Sequence, residues 1–241
     1  MPVYARGVEY PIESGQIGIV SDDGGHYAAY WAHPRLGQHY PGVALLHDWW
    51  GITQVTRSIA NFLAQNGYYV IAPDFFQGHS TQDPKEALKL MSASEETRWP
   101  LLNATLDVLE KHHRTHKSVA VLGLGLGGSL AYEAAVRRDD LEAAIACAGF
   151  PQRYLKQIPA AQAPILAIYG SEKQHVRPVV LEALRQALAA SVLRDEHRLE
   201  IISGAGHEFF VEQPDLTQRQ HARQALDLIL AFLERHLRRP G

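Results

Sequence analysis

The stretch VAVLGLGLGGSLAYEAA at residues 119–135 constrains the fold more than any other part of the sequence. An apolar strand, predicted over 118–122, runs into a turn with four glycines within the six residues 123–128. A helix, predicted over 129–137, follows this turn. Two unrelated kinds of protein place such a strand–turn–helix unit at their active centre: dinucleotide-binding proteins, and enzymes that carry a nucleophile on the turn. Other parts of the sequence must decide between them.

Short apolar strands alternate with amphipathic helices along most of the chain. The strands are predicted at 42–47, 68–72, 118–122, 143–148, 164–169 and 198–202, and the helices at 53–66, 83–94, 97–113, 129–137, 181–190 and 218–237. This alternation predicts an α/β fold whose central sheet has about seven to eight mostly parallel strands flanked by helices. A hairpin of strands 16–20 and 27–32 is predicted at one edge of the sheet. A chain of 241 residues is expected to form a single domain, residues 1–241.

Charge and cysteine content exclude several classes of protein. The formal net charge is −3 and the isoelectric point about 6.5, so no nucleic-acid partner is expected. No apolar run reaches the roughly 20 residues of a membrane span, and residues 1–15 lack the apolar segment of a signal peptide. The single cysteine, Cys147, rules out an internal disulfide. We therefore expect a cytoplasmic protein without membrane contact, and the sequence leaves its oligomeric state open.

Functional groups are expected where the strands end, because ligands of such sheets bind at the carboxyl ends of the strands. Aromatic side chains are frequent there, and some of them are expected to line an apolar cleft. They are Trp49, Trp50, Phe75, Phe76, Phe209 and Phe210. The histidines lack the i, i+4 or H-E-x-x-H spacing of metal ligands, so no metal is expected. No cofactor is expected either.

The turn satisfies the dinucleotide-binding pattern G-x-G-x-x-G from Gly123 to Gly128. That pattern requires an acidic residue about 20 positions later, at the end of the next strand, to bind the ribose. The next strand instead ends in the sequence Cys-Ala-Gly at 147–149. The nearby acidic residues, within 139–142, precede that strand and so belong to the opposite edge of the sheet. Dinucleotide binding is therefore the least favoured interpretation.

The frame 123–127 also fits a nucleophile elbow, in which the central residue of G-x-x-x-G is the nucleophile. Around this frame the chain resembles the dienelactone hydrolase family of the α/β-hydrolase fold. The motifs that carry the resemblance are HDWWG at 47–51, GYYVIAPD at 67–74 and GHEFF at 206–210. The central residue of an elbow is held at positive φ, a conformation that glycine adopts freely, and in this chain that residue is number 125. We therefore expect a positive φ at Gly125.

The resemblance implies a catalytic triad, of which one residue remains. Gly125 stands at the nucleophile position and Lys173 at the acid position, whereas His207 is retained. A histidine without a nucleophile and an orienting acid cannot support ordinary nucleophilic catalysis. The two arginines with which the family binds a substrate carboxylate fall on Gly78 and Val211. A small anionic substrate would therefore be held poorly.

Other parts of the site are implied to remain, including two backbone donors for an oxyanion at Leu126 and Trp49. We predict a family member that lacks conventional nucleophilic hydrolase activity and binds a small apolar molecule in the former active-site cleft. One alternative is an active hydrolase of esters or lactones with unusual machinery, either Asp48 with His207 or Cys147. The other alternative is a scaffold for protein interactions without enzymatic activity.

Overall fold

A computed structural model of the chain describes residues 9–21, 24–37, 39–172 and 175–237. The strands are β1 Ile12–Val20, β2 His26–Pro34, β3 Tyr40–Leu46, β4 Tyr69–Pro73, β5 Thr115–Leu124, β6 Ala143–Cys147, β7 Ile165–Gly170 and β8 Arg198–Ile202. The α-helices are α1 Gln54–Gln65, α2 Pro84–Ala93, α3 Glu95–Lys111, α4 Leu126–Arg137, α5 Pro178–Ala189 and α6 Leu216–His236. Among the described helices, none has both the length and the hydrophobicity that a membrane crossing requires.

Within the described residues, the strands form an eight-stranded sheet in the order β1-β2-β4-β3-β5-β6-β7-β8. Strand β2 pairs antiparallel with both β1 and β4, while β3 runs parallel to β4 and β5 to β8 run parallel to one another. Every residue of β3, β4, β6 and β7 is buried, as expected for parallel strands covered on both faces by helices. The predicted mostly parallel sheet and its hairpin edge are confirmed.

The chain divides into two compact units, the first ending at Val119 and the second spanning Ala120–Leu237. In the first unit, α1 packs on β1, β2 and β4, and α3 packs on β1, β3 and β4. Helix α1 begins where the Thr53 side chain accepts the backbone N–H of Val55. In the second unit, α4 packs on β6, and α6 packs on β6, β7 and β8. A capping box between Asp215 and Gln218 starts α6.

Helix α4 begins at Leu126, so the prediction that it starts at residue 129 is wrong. Two glycines lie in its first turn, although glycine destabilises helices relative to alanine. Close backbone packing explains them. A Cβ on Gly123 would clash with the carbonyl oxygen of Gly127, and a Cβ on Gly128 would lie 2.9 Å from the Cα of Gly149. Glycine thus allows the start of α4 to contact both β5 and the loop after β6.

Candidate functional site

Gly125 has the backbone conformation of an elbow, with φ 49° and ψ −104°. This combination lies outside the regions that residues with a Cβ adopt without strain. Its N–H donates to the carbonyl of Cys147 at 2.9 Å, and its carbonyl accepts the N–H of Ser129 at 3.1 Å. The predicted positive φ is therefore confirmed. The turn holds position 125 between β5 and α4 without offering a side chain that could react.

The first turn of α4 also fixes the loop that follows β6. Ser129 Oγ accepts the backbone N–H of Phe150 at 2.9 Å, so this hydroxyl has a structural role. The Tyr169 hydroxyl donates to the carbonyl of Gly149 at 2.8 Å and lies 2.7 Å from the Tyr132 hydroxyl. These hydrogen bonds hold the backbone of the loop, from which the Phe150 side chain projects with 38% of its surface exposed.

His207 lies in the loop after β8, and its imidazole is half-buried. Its ring centroid is 4.4 Å from that of His175 and 5.7 Å from that of Phe150. Burial, and to a smaller extent the neighbouring His175, lowers the pKa of His207 to about 4. Among the residues that the structure describes, none forms a hydrogen bond with this imidazole. His207 is therefore neutral at pH 7, and among the described residues it has no hydrogen-bonded carboxylate of the kind that orients a catalytic base.

Hydrogen bonds tie the loop that carries His207 to the loop after β7. Gly204 N–H donates to Ser171 Oγ at 2.8 Å, and Glu172 N–H donates to the carbonyl of Ala205 at 2.8 Å. The Glu172 side chain is exposed. Lys173, which the resemblance places at the acid position, lies outside the described residues.

Cys147 ends β6 and is only 1% exposed. Burial raises the pKa of its thiol to about 12. The thiolate is the nucleophilic form of cysteine, and a thiol with this pKa is almost completely protonated at neutral pH. The alternative in which Cys147 replaces the missing nucleophile is therefore disfavoured.

In the first unit, His47 links the ends of β3 and β4. Its Nε2 accepts the N–H of Phe75 at 3.1 Å, which assigns the proton to Nδ1. Nδ1 then donates to the carbonyl of Asp48 at 2.7 Å. Burial lowers the pKa of His47, which favours this neutral form. Because both ring nitrogens bond to backbone, His47 is a connecting residue between two strand ends.

Two aspartates of the first unit bind backbone N–H groups of their own loops. Asp48 Oδ1 accepts the N–H of Trp49 at 2.7 Å. Asp74 accepts the N–H groups of Phe76 at 2.9 Å and Gly78 at 2.8 Å, and so shapes the turn after β4. The Trp49 N–H, which the resemblance implies as an oxyanion donor, is thus engaged by the neighbouring carboxylate.

The predicted binding residues differ in accessibility. Trp49 and Trp50 are partly exposed, and their ring centroids lie 4.5 Å apart. Phe75 and Phe209 are each 3% exposed and belong to the core, and the Leu126 side chain is also buried. That these residues line a ligand site stays a prediction.

Sequence reasoning missed two neighbours of His207, namely Phe150 and His175. The signal for both was their position, because Phe150 follows β6 and His175 follows β7 at the edge where strand ends meet. Within the described parts of the chain, no group of three or more histidine, cysteine, aspartate or glutamate side chains is arranged to hold a metal ion.

The strand order, the elbow at Gly125 and the histidine loop after β8 define an α/β-hydrolase fold. A solved structure with this fold, a dienelactone hydrolase-like promiscuous phosphotriesterase from metagenomic libraries, matches with a TM-score of 0.76. It is 18% identical in sequence, and the match covers 92% of this chain and 98% of that chain.

A sequence profile of the dienelactone hydrolase family matches residues 27–237, and the chain belongs to this family. It is 28% identical over 234 residues to protein usf of Aquifex pyrophilus, with 92% of this chain and 99% of that protein covered. It is also 26% identical over 209 residues to a carboxymethylenebutenolidase of Rhodococcus opacus, with 81% of each covered.

Proposed function

We propose that this dienelactone hydrolase family member binds a small, uncharged and largely apolar molecule and does not hydrolyse it by nucleophilic catalysis. The observation that carries the proposal is the conformation of Gly125. Its φ of 49° and ψ of −104° belong to an elbow, and its side chain is a hydrogen atom. The backbone therefore has the conformation that holds a nucleophilic side chain, and glycine has no such side chain.

Neither remaining candidate of the second unit supplies the missing chemistry. The buried Cys147 thiol has a pKa of about 12. The imidazole of His207 has a pKa of about 4 and therefore binds a proton weakly. Proton abstraction by a general base is most effective when its pKa lies near the working pH. The alternative that pairs Asp48 with His207 stays a hypothesis.

Binding is supported by the surface that surrounds His207. Phe150 and His207 offer ring surface to solvent, and the loops that carry them are held by hydrogen bonds. Pre-ordered apolar surface with a few polar atoms is typical of small-molecule sites. Val211 stands where the resemblance implies an arginine for a substrate carboxylate, which favours an uncharged ligand.

Hydrolysis and covalent labelling test the first half of the proposal. Turnover of activated esters and lactones should stay at background, and a serine- or cysteine-directed probe should leave the native protein's mass unchanged. Gly125→Cys should gain one adduct, because the N-terminus of α4 favours a thiolate there. Turnover by the wild type that disappears in Cys147→Ala or Asp48→Asn would instead support the hydrolase alternative.

Thermal unfolding with a panel of uncharged small molecules tests the second half. A compound that binds the native state alone raises the melting temperature by an amount that grows with the ratio of its concentration to its dissociation constant. A panel without any shift, together with a protein partner that co-purifies in fixed ratio, would favour the scaffold alternative.

A further inference from the structure

Three rings form a cluster at the carboxyl ends of β6, β7 and β8 in the second unit. His207 is the central ring, with His175 at 4.4 Å and an interplanar angle of 54°, and Phe150 at 5.7 Å and 45°. His207 is half-buried, whereas His175 and Phe150 are exposed. Each ring comes from a different loop. The cluster therefore forms one aromatic surface that solvent can reach.

The backbone at Phe150 is held in place from two directions. The Ser129 hydroxyl, in the first turn of α4, accepts its backbone N–H at 2.9 Å. The preceding carbonyl, that of Gly149, accepts the buried Tyr169 hydroxyl at 2.8 Å. An aromatic side chain on a fixed backbone binds a planar ring at a lower entropic cost than one on a mobile loop, because less backbone freedom is lost on binding. Aromatic ligands gain in addition from offset or edge-to-face contact.

The imidazole of His207 offers polar recognition at the centre of this surface. No described residue forms a hydrogen bond with either of its ring nitrogens. Burial lowers the pKa of His207 to about 4, so the neutral ring has one N–H donor and one nitrogen acceptor. A hydroxyl group matches both, because it can donate or accept. A carboxylate would lose hydration at the neutral His207 ring without gaining a cationic partner from it.

We propose that the cluster of Phe150, His175 and His207 binds a planar, uncharged aromatic alcohol, whose ring contacts Phe150 and whose hydroxyl bonds to the His207 imidazole. This assignment rests on the proposed binding function and adds the chemical class of the ligand. It makes the hydroxyl the feature that selects the ligand, while the ring supplies most of the contact area.

Four probes separate the contributions of ring, hydroxyl and charge: phenol, toluene, benzoate and cyclohexanol. Titrations followed by the NMR signals of the histidine rings should show phenol binding about three- to tenfold more tightly than toluene, the difference expected for one net hydrogen bond. Cyclohexanol should bind more weakly than phenol because it lacks a flat ring. Benzoate should bind most weakly because it is charged.

Variants assign these preferences to residues. His207→Phe keeps an aromatic ring and should abolish the preference for phenol over toluene. Phe150→Ala should weaken the binding of both compounds. His207→Leu, which has no polar side-chain atom, provides a second test if the larger ring disturbs folding. His26→Ala removes an exposed histidine of β2 and should leave all four affinities unchanged. A phenol preference that survives both His207 variants would overturn the assignment.

The outcomes also separate this inference from the function on which it rests. Benzoate or cyclohexanol binding as tightly as phenol, or none of the four binding at millimolar concentration, would refute the aromatic alcohol. If another uncharged compound of the panel still raised the melting temperature, the proposed binding function would stand. Ester turnover by the wild type would refute the proposed function whatever the four probes show.

Discussion

Replacement of Gly125 by alanine measures the strain that the elbow imposes. A residue with a Cβ is strained at φ 49° and ψ −104°, and strain of this kind destabilises the folded state by about 1–3 kcal/mol per residue. Alanine also has less conformational freedom than glycine in the unfolded chain, which stabilises the folded state by about 0.4–1 kcal/mol. With the middle of each range, the free energy of unfolding should therefore fall by about 1.3 kcal/mol. For a chain of this size each kcal/mol lowers the melting temperature by about 2–4 °C, so we expect a fall of about 3–5 °C.

Two further glycine variants separate strain from steric clash. Gly18 lies in β1, where an added Cβ would meet open space, so Gly18→Ala should leave the melting temperature unchanged or slightly higher. Gly123→Ala should lower it more than Gly125→Ala, because its Cβ would clash with the Gly127 backbone. The assay is thermal and urea unfolding followed by circular dichroism. A Gly125→Ala protein that melts within about 1 °C of the wild type would refute the strain argument.

Three other predictions concern buried polar groups of the second unit. Tyr169→Phe removes the donor to the Gly149 carbonyl and the partner of Tyr132, and should cost about 1–3 kcal/mol in urea unfolding; adding Tyr132→Phe should cost less than the sum of the single changes. Burial lowers the pKa of His197 to about 4, so the unfolded state, which titrates near pH 6.5, binds protons first as the pH falls. The urea midpoint should therefore drop between pH 7 and pH 4. In His197→Gln the midpoint should depend less steeply on pH than in the wild type, and an equally steep dependence would contradict this cause. Cys147 should react with iodoacetamide only under denaturing conditions, and rapid alkylation at pH 7.5 of the native protein would show that its thiol is accessible.

The sheet could be predicted from the sequence because its strands are short apolar runs that turn residues separate. Strand β8 begins and ends where the pattern places it, at 198 and 202. The start of α4 could not be predicted in this way. Local propensity disfavours glycine in a helix, whereas tertiary contact with Gly149 requires it at Gly128.

The site was predictable in its backbone and less so in its side chains. The spacing of glycines indicates an elbow, and the positive φ of Gly125 confirms it. The hydrogen bond from the Trp49 N–H to the Asp48 carboxylate could not be predicted, because it depends on the rotamer of one side chain. The ring contacts of His207 depend on the paths of three separate loops, which no local pattern specifies.

The close backbone approach of Gly128 to Gly149 has a consequence for how such chains can change their chemistry. A Cβ on either glycine would clash with the backbone of the other, so close packing of helix on sheet requires both glycines whether or not a nucleophile is present. A single codon, that of residue 125, can therefore remove the reactive group while the remainder of the motif stays under the same steric requirement. A motif match at this turn is evidence of architecture, and only the identity of its central residue bears on reactivity.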